Sequence, residues 1–263
     1  MKKSWLLLVT LLLLLLVPVV THAKKVPIKV DTKLVKYDES PIMVNKVLYY
    51  PLRGIVEGAG GKMSWDVKTN TIIILRGKDK IQFNTTQNYA YVNGIKKPIT
   101  KALIQNNAVW VPVQFTSSIL GMQVSWNTKE SILYVTTPTM VKINSLVKNA
   151  ERYLGTPYRF GGTFRLNKTF DCSAFVQQVF AERGVYLPRT TFEQVKKGKK
   201  VTFQQLQKGD LIFFDIMGNK SLSHVAIYID ANTLLQASSS KGVAYTSFNS
   251  YWKTRMKEFR RIL

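Results

Sequence analysis

The chain has 263 residues, room for two ordinary domains, and its 46% hydrophobic content supports globular structure. Thirty-eight Lys plus Arg against fifteen Asp plus Glu give a formal net charge of +23, a balance that seeks polyanions. The single Cys excludes an intramolecular disulfide and leaves one thiol to be accounted for.

Lys2 and Lys3 precede an apolar run from Trp5 to Val20, interrupted only by Thr10, which contains Pro18 near its end and exits through Thr21-His22-Ala23. That order is the layout of a signal peptide over residues 1–23, with an uncleaved membrane anchor as the alternative. Cleavage after Ala23 removes Lys2 and Lys3 and leaves a net charge of +21. No cysteine follows the run, so lipidation of the new N-terminus is not available, and no second hydrophobic span is present. The expected product is secreted, either soluble or wall-bound, without a stable membrane span. For an exported protein the basic charge points to anionic wall polymers or lipid headgroups and not to nucleic acid. His22 departs with the leader, so the mature chain holds one Cys and one His. Each has a plain reading as a packed core residue.

Residues 24–137 contain an internal repeat at an offset of 61. Tyr50-Pro51-Leu52, Gly60, Ser64-Trp65-Asp66, Lys68 and Ile74 answer Val111-Pro112-Val113, Gly121, Ser125-Trp126-Asn127, Lys129 and Val135. Each copy reads as an extended apolar segment, a short helix and two strands joined by a polar turn, which makes one duplicated α+β domain. Trp65 and Trp126 read as shared packing more readily than as sugar platforms. At these residues the segment resembles the copper amine oxidase N-terminal-like domain, which implies a spacer or wall-binding module. A copper centre needs several imidazoles, and residues 24–137 contain no histidine.

Pro138 to Asn144 reads as a short join. A helix is expected from Ser145, with Leu146, Val147, Ala150 and Leu154 on one face and Gly155 as its stop. The second domain, residues 145–263, alternates helical and strand segments. Cys172, Phe175, Val176, Val179 and Phe180 have helical spacing, so the only cysteine falls in the first turn, where backbone N–H groups favour a thiolate. Asp171 before it is placed to cap that helix. His224 opens the strand Val225 to Ile229, at a strand end that can present an imidazole to a cleft as base for the thiol. Gln236, in the next strand, is placed to orient His224. Thr191 with Gln194 fits a capping box. Arg189 reads equally as an exposed structural residue or as a fork for a substrate carboxylate.

Tyr158-Arg159-Phe160-Gly161-Gly162, Asp171-Cys172-Ser173, Leu187-Pro188-Arg189-Thr190, Gly209-Asp210-Leu211 and His224-Val225-Ala226-Ile227-Tyr228 occur in that order. Through these five motifs the second domain resembles the NlpC/P60 family of papain-like cell-wall endopeptidases. The resemblance implies a papain-like α+β fold, Cys172 as nucleophile, His224 as base and Gln236 as the third polar residue, with no metal and no cofactor. It also implies that Tyr158 and Asp171 meet the substrate's amino end; Ser173, next to the nucleophile, and Arg189 are further candidates for substrate contact. The implied substrate is the peptidoglycan stem peptide, cut between the D-glutamate side chain and the diamino acid. Ala174, Ala226 and Gln236 depart from the commonest family residues, and none of the three removes a reacting group. A silent wall-binding protein, or an acyltransferase or amidase on the same fold, is the alternative.

Overall fold

The computed structural model describes residues 21–22, 26–37, 41–219 and 221–263. Apart from Thr21–His22, the leader expected over residues 1–23 lies outside them. The chain divides into two compact units, Met1–Thr137 and Pro138–Leu263, each with its own hydrophobic core. Among the described residues no helix is long and apolar enough to cross a membrane.

The duplication in the first unit is visible in its strand register. The hairpins Ile42–Val44/Val47–Pro51 and Leu103–Gln105/Ala108–Pro112 both turn on residues of positive φ, Asn45-Lys46 and Asn106-Asn107, which suit the twist of a two-residue hairpin turn. Strands Val47–Pro51 and Ala108–Pro112 then pair antiparallel with Tyr50 opposite Val111, its own counterpart in the repeat. Equivalent residues facing each other across an antiparallel pair place a local two-fold axis between the copies. Each strand ends at a proline whose φ suits a helix entry, followed by the helices Leu52–Gly58 and Val113–Ser118. The expected two-stranded turns follow, Lys62–Asp66 with Thr71–Arg76 and Gln123–Asn127 with Ile132–Thr136.

The copies differ in what continues their sheets. The first hairpin extends antiparallel through Asp79–Asn84, Tyr89–Val92 and Ile95–Pro98, whereas the second takes Ile28–Val30 as a parallel neighbour. Asp31 closes that junction by accepting from the backbone N–H and the hydroxyl of Thr137, both at 2.8 Å. The two tryptophans also differ. Trp65 is partly buried against the core, as expected, but Trp126 is 48% exposed, because position in a hairpin does not decide what covers it.

In the second unit the helix begins at Pro138 and runs to Ala150, so the expected join over residues 138–144 is helical. Proline is tolerated in a first turn, where its missing N–H has no intrahelical partner to lose. Ile143, Leu146, Val147 and Ala150 face the core, but a tight turn over Glu151–Tyr153 rotates Leu154 out to 44% exposure. A six-stranded sheet follows in the order Lys199–Lys200, Met256–Arg261, Leu211–Phe214, His224–Asp230, Thr233–Ser238 and Gly242–Ser247. Its neighbours pair antiparallel. Leu211–Phe214 is buried on both faces. Leu211 and Phe213 meet the helix Cys172–Ala181, and Ile212 and Phe214 meet Phe248 and Trp252 on the opposite side. That helix lays Phe175, Val176, Val179 and Phe180 on Val225, Ile227 and Leu235, which fixes its first turn beside the start of the His224 strand. The fold is α+β.

Candidate active site

Cys172 is the first residue of the helix Cys172–Ala181, and Asp171 is its N-cap, accepting from the Ala174 N–H at 2.7 Å. The same carboxylate does more than cap. It accepts from the Gly161 N–H at 3.1 Å and from both terminal nitrogens of Arg189, at 3.0 and 2.5 Å. Arg189 also donates to Ser173 Oγ at 3.0 Å. Asp171, Ser173 and Arg189 thus form one bonded cluster, and the Arg189 fork is already engaged within the protein. Tyr158 joins Phe170, the residue before Asp171, through an isolated parallel bridge. Its phenol is pushed up chiefly by burial, then by the charges of Cys172 and Asp171, which places it within electrostatic reach of both.

The thiol is 6% exposed, and burial is the largest influence on it, raising its pKa. The Val225 N–H, the Ser173 N–H and the Thr191 hydroxyl pull it back down, while the Asp171 charge adds to the rise. The helix N-terminus was expected to favour thiolate; burial acts in the opposite direction and is the larger influence on the thiol. Val225 is the residue after His224, so an N–H that favours the thiolate comes from the start of that strand.

His224 is 3% exposed and not at an open cleft edge as its strand-end position suggested. Burial pulls its pKa down to about 4, and the Gln236 hydrogen bond opposes that fall. His224 Nε2 lies 2.6 Å from Gln236 Oε1, while the Gln236 amide nitrogen donates to Thr246 Oγ1 at 2.7 Å. With Gln236 Oε1 facing the ring, the bond is one in which His224 Nε2–H donates to that oxygen. Burial favours the neutral ring, and in that tautomer Nδ1 is the nitrogen left to take a proton. Trp252 lies over the ring at 5.1 Å with 30° between planes, and Phe214 closes another side at 5.9 Å.

Four neighbours escaped the sequence reading. Thr191 and Gln194 do not form a capping box: the N-cap of the short helix Thr191–Gln194 is Thr190, which leaves the Thr191 hydroxyl for the thiol. Fully buried Gln194 instead ties the Ser173 and Pro188 carbonyls together, at 2.9 Å each. Thr246 and Trp252 come from later elements, and no local pattern marks them.

The NlpC/P60 family profile matches residues 155–261, and that of the copper amine oxidase N-terminal domain matches residues 29–135. Over 125 residues the chain is 40% identical to a probable endopeptidase of Haemophilus influenzae, covering 47% of this chain and 76% of that one. It is 45% identical over 111 residues to the murein DD-endopeptidase MepS/murein LD-carboxypeptidase of Escherichia coli, covering 41% of this chain and 57% of that one. It is 40% identical over 118 residues to the gamma-DL-glutamyl hydrolase of Bacillus subtilis, covering 44% and 28%. The chain belongs to the NlpC/P60 family. It spans just over half of the Escherichia coli relative and under a third of the Bacillus subtilis one. Residues 29–135 contain neither His nor Cys, so despite the second family's name they do not fit a copper site.

Proposed function

We propose that this chain is an exported cysteine endopeptidase that hydrolyses the bond between the D-glutamate side chain and the diamino acid of peptidoglycan stem peptides. The observation that carries the reading is the His224–Gln236–Thr246 chain of hydrogen bonds on the strands that pack against the Cys172 helix. His224 Nδ1 takes the thiol proton as sulfur attacks the amide carbon. The carbonyl oxygen becomes an oxyanion, which the Cys172 N–H and the Tyr158 hydroxyl receive. The imidazolium then protonates the leaving amine and the C–N bond breaks, leaving a thioester. Water, deprotonated by His224, attacks that thioester, releases the γ-carboxylate and restores the thiol. Asp171, held by Arg189 and Ser173, offers a carboxylate to the substrate's amino end. The N-terminal unit, with 16 Lys plus Arg against 7 Asp plus Glu in residues 24–137, serves as a spacer that contacts anionic wall polymers.

The name of the Bacillus subtilis relative supports the γ-glutamyl bond, and that of the Escherichia coli relative favours a second reading, DD-endopeptidase and LD-carboxypeptidase action. Mass spectrometry of purified peptidoglycan after digestion separates them. The γ-glutamyl reading requires fragments ending in L-Ala-D-Glu with a newly freed diamino-acid amine. Removal of terminal D-alanine, or cleavage of cross-links alone, would replace it with the second reading. Absence of any product, with a thiol of ordinary slow reactivity, would leave a silent wall-binding protein.

A further inference from the structure

The two-fold repeat of the N-terminal unit contains its own control. A hollow of about 530 Å³ opens beside the helix Leu52–Gly58, lined by Lys36, Tyr37, Arg53, Glu57, Trp65 and the turn Asn106-Asn107 among others. A second hollow of about 320 Å³ lies beside the helix Val113–Ser118 and is lined by Pro98, Pro112, Gln114, Phe115 and Ser118 with Ile99 and Thr100. The two occupy equivalent places, because Tyr37, Pro51, Arg53, Gly54 and Glu57 of the first answer Pro98, Pro112, Gln114, Phe115 and Ser118 of the second, each 61 residues on.

What the fold requires should be present in both copies, and Pro51 with Pro112 is such a pair. The remainder has diverged in one direction. Arg53 stands where the second copy has Gln, Glu57 where it has Ser, and Tyr37 where it has Pro. Trp65 lines its hollow, whereas Trp126 is not among the residues lining the other. Gly54 replaces Phe115 for a visible reason: a Cβ there would sit 2.5 Å from Val35 Cγ1. Glycine thus lets the chain at Val35 cross the helix closely, and the same crossing brings Lys36 and Tyr37 in as a wall. Arg53 and Glu57 are held at the rim, 3.4 Å apart and both about half exposed, with Arg53 also donating to the Met63 carbonyl at 3.2 Å.

We propose that this first-repeat hollow is a saccharide-binding site. Its volume falls within the roughly 300–1,000 Å³ of small-ligand pockets. Trp65 and Tyr37 supply flat apolar faces for the C–H face of a pyranose ring, since aromatic rings are large and partly polar at one end. Arg53, Glu57, Asn106 and Asn107 supply planar donors and acceptors together, the mixture that hydroxyl groups need because each both donates and accepts. A site for bare phosphate would collect donors only, and Glu57 argues against it. The choice of a wall glycan as the natural source of the sugar rests on the proposed function; the pocket itself does not.

The test uses the full chain carrying Cys172→Ala, titrated calorimetrically with a tetramer of N-acetylglucosamine and, separately, with inorganic phosphate. Saccharide binding is expected, insensitive to salt, and weakened at least tenfold by Trp65→Ala and by Arg53→Gln, which installs the second copy's residue. Trp126→Ala should leave it unchanged. Trp65→Phe, which keeps an aromatic face, should retain most of the affinity and guards against a fold defect in Trp65→Ala. In chains with Cys172 intact, Arg53→Gln and Trp65→Phe should leave soluble stem-peptide cleavage unaltered, which separates this site from the catalytic one. No saccharide binding by the parent, binding of phosphate alone, or equal loss in Trp126→Ala would each overturn the assignment.

Discussion

Gln236 shows how burial changes the weight of a single residue. A neutral hydrogen bond that only orients His224 is worth about 0.5–1.5 kcal/mol net, but this amide is fully buried and serves two partners. Truncation leaves the His224 N–H and the Thr246 hydroxyl unmatched in a dry interior, at about 1–3 kcal/mol. Gln236→Ala is therefore expected to lower turnover by on the order of 10- to 100-fold. Gln236→His, which can both accept and donate, should keep substantial activity. Cys172→Ala and His224→Ala should abolish turnover, and their effects should not add, because nucleophile and base act as one unit. Turnover of one stem-peptide substrate by folded variants measures all of these; substantial turnover by His224→Ala would remove the catalytic assignment. The buried imidazole also makes a pH prediction. His224 must be neutral to accept a proton, and its pKa lies near 4, below the ordinary 6.5. The acid limb of kcat/KM should therefore fall below pH 6.5. Stability has the matching sign. The unfolded chain binds the proton first, so the contribution of His224 is fully present above pH 6.5 and is lost as pH falls towards 4. Urea unfolding of the parent and of His224→Gln across that range should show the parent losing stability more steeply.

At the scale of elements, the start of the Cys172 helix carries two separable interactions through one carboxylate. Asp171 caps the helix and also binds Arg189, which has Ser173 as a further partner. Asn preserves the cap and loses the charge; Ala loses both. The expected order of stability is parent, then Asp171→Asn, then Asp171→Ala, the last step being about 1 kcal/mol for the cap. Denaturant midpoints at constant slope give the comparison, and equal stability of the two variants would mean that capping contributes nothing here. A helix start at residue 172 was legible from the spacing Cys172, Phe175, Val176, Val179 and Phe180, because a 3.6-residue period is a local property. The earlier helix was misplaced at Ser145 because its first turn, Pro138 to Val141, presents no buried side chain from which a period can be read.

For the whole molecule, the basic charge is shared by both units, and that of the N-terminal one makes a prediction independent of catalysis. The isolated unit should sediment with walls that retain their anionic polymers and be released by salt, since screening shortens the reach of surface charge. Walls stripped of those polymers should lose this salt-sensitive component and keep only the saccharide-dependent part. If salt-sensitive binding survives stripping, the electrostatic reading fails while the pocket assignment stands.

The sequence by itself determined the duplicated first unit, the α+β second unit and the candidate trio Cys172, His224 and Gln236. Repeats, periodicity and ordered motifs are carried by residues near one another in the chain. Only the tertiary structure decided that Arg189 is held by Asp171, that Thr191, Thr246 and Trp252 complete the surroundings of Cys172 and His224, and that the two repeats open equivalent hollows of different size and lining. It also sets burial against the helix N-terminus in the balance of the thiol. A helix N-terminus is visible locally, whereas the burial that opposes it depends on a core that also gathers residues such as Val225 and Leu235 from more than fifty positions away.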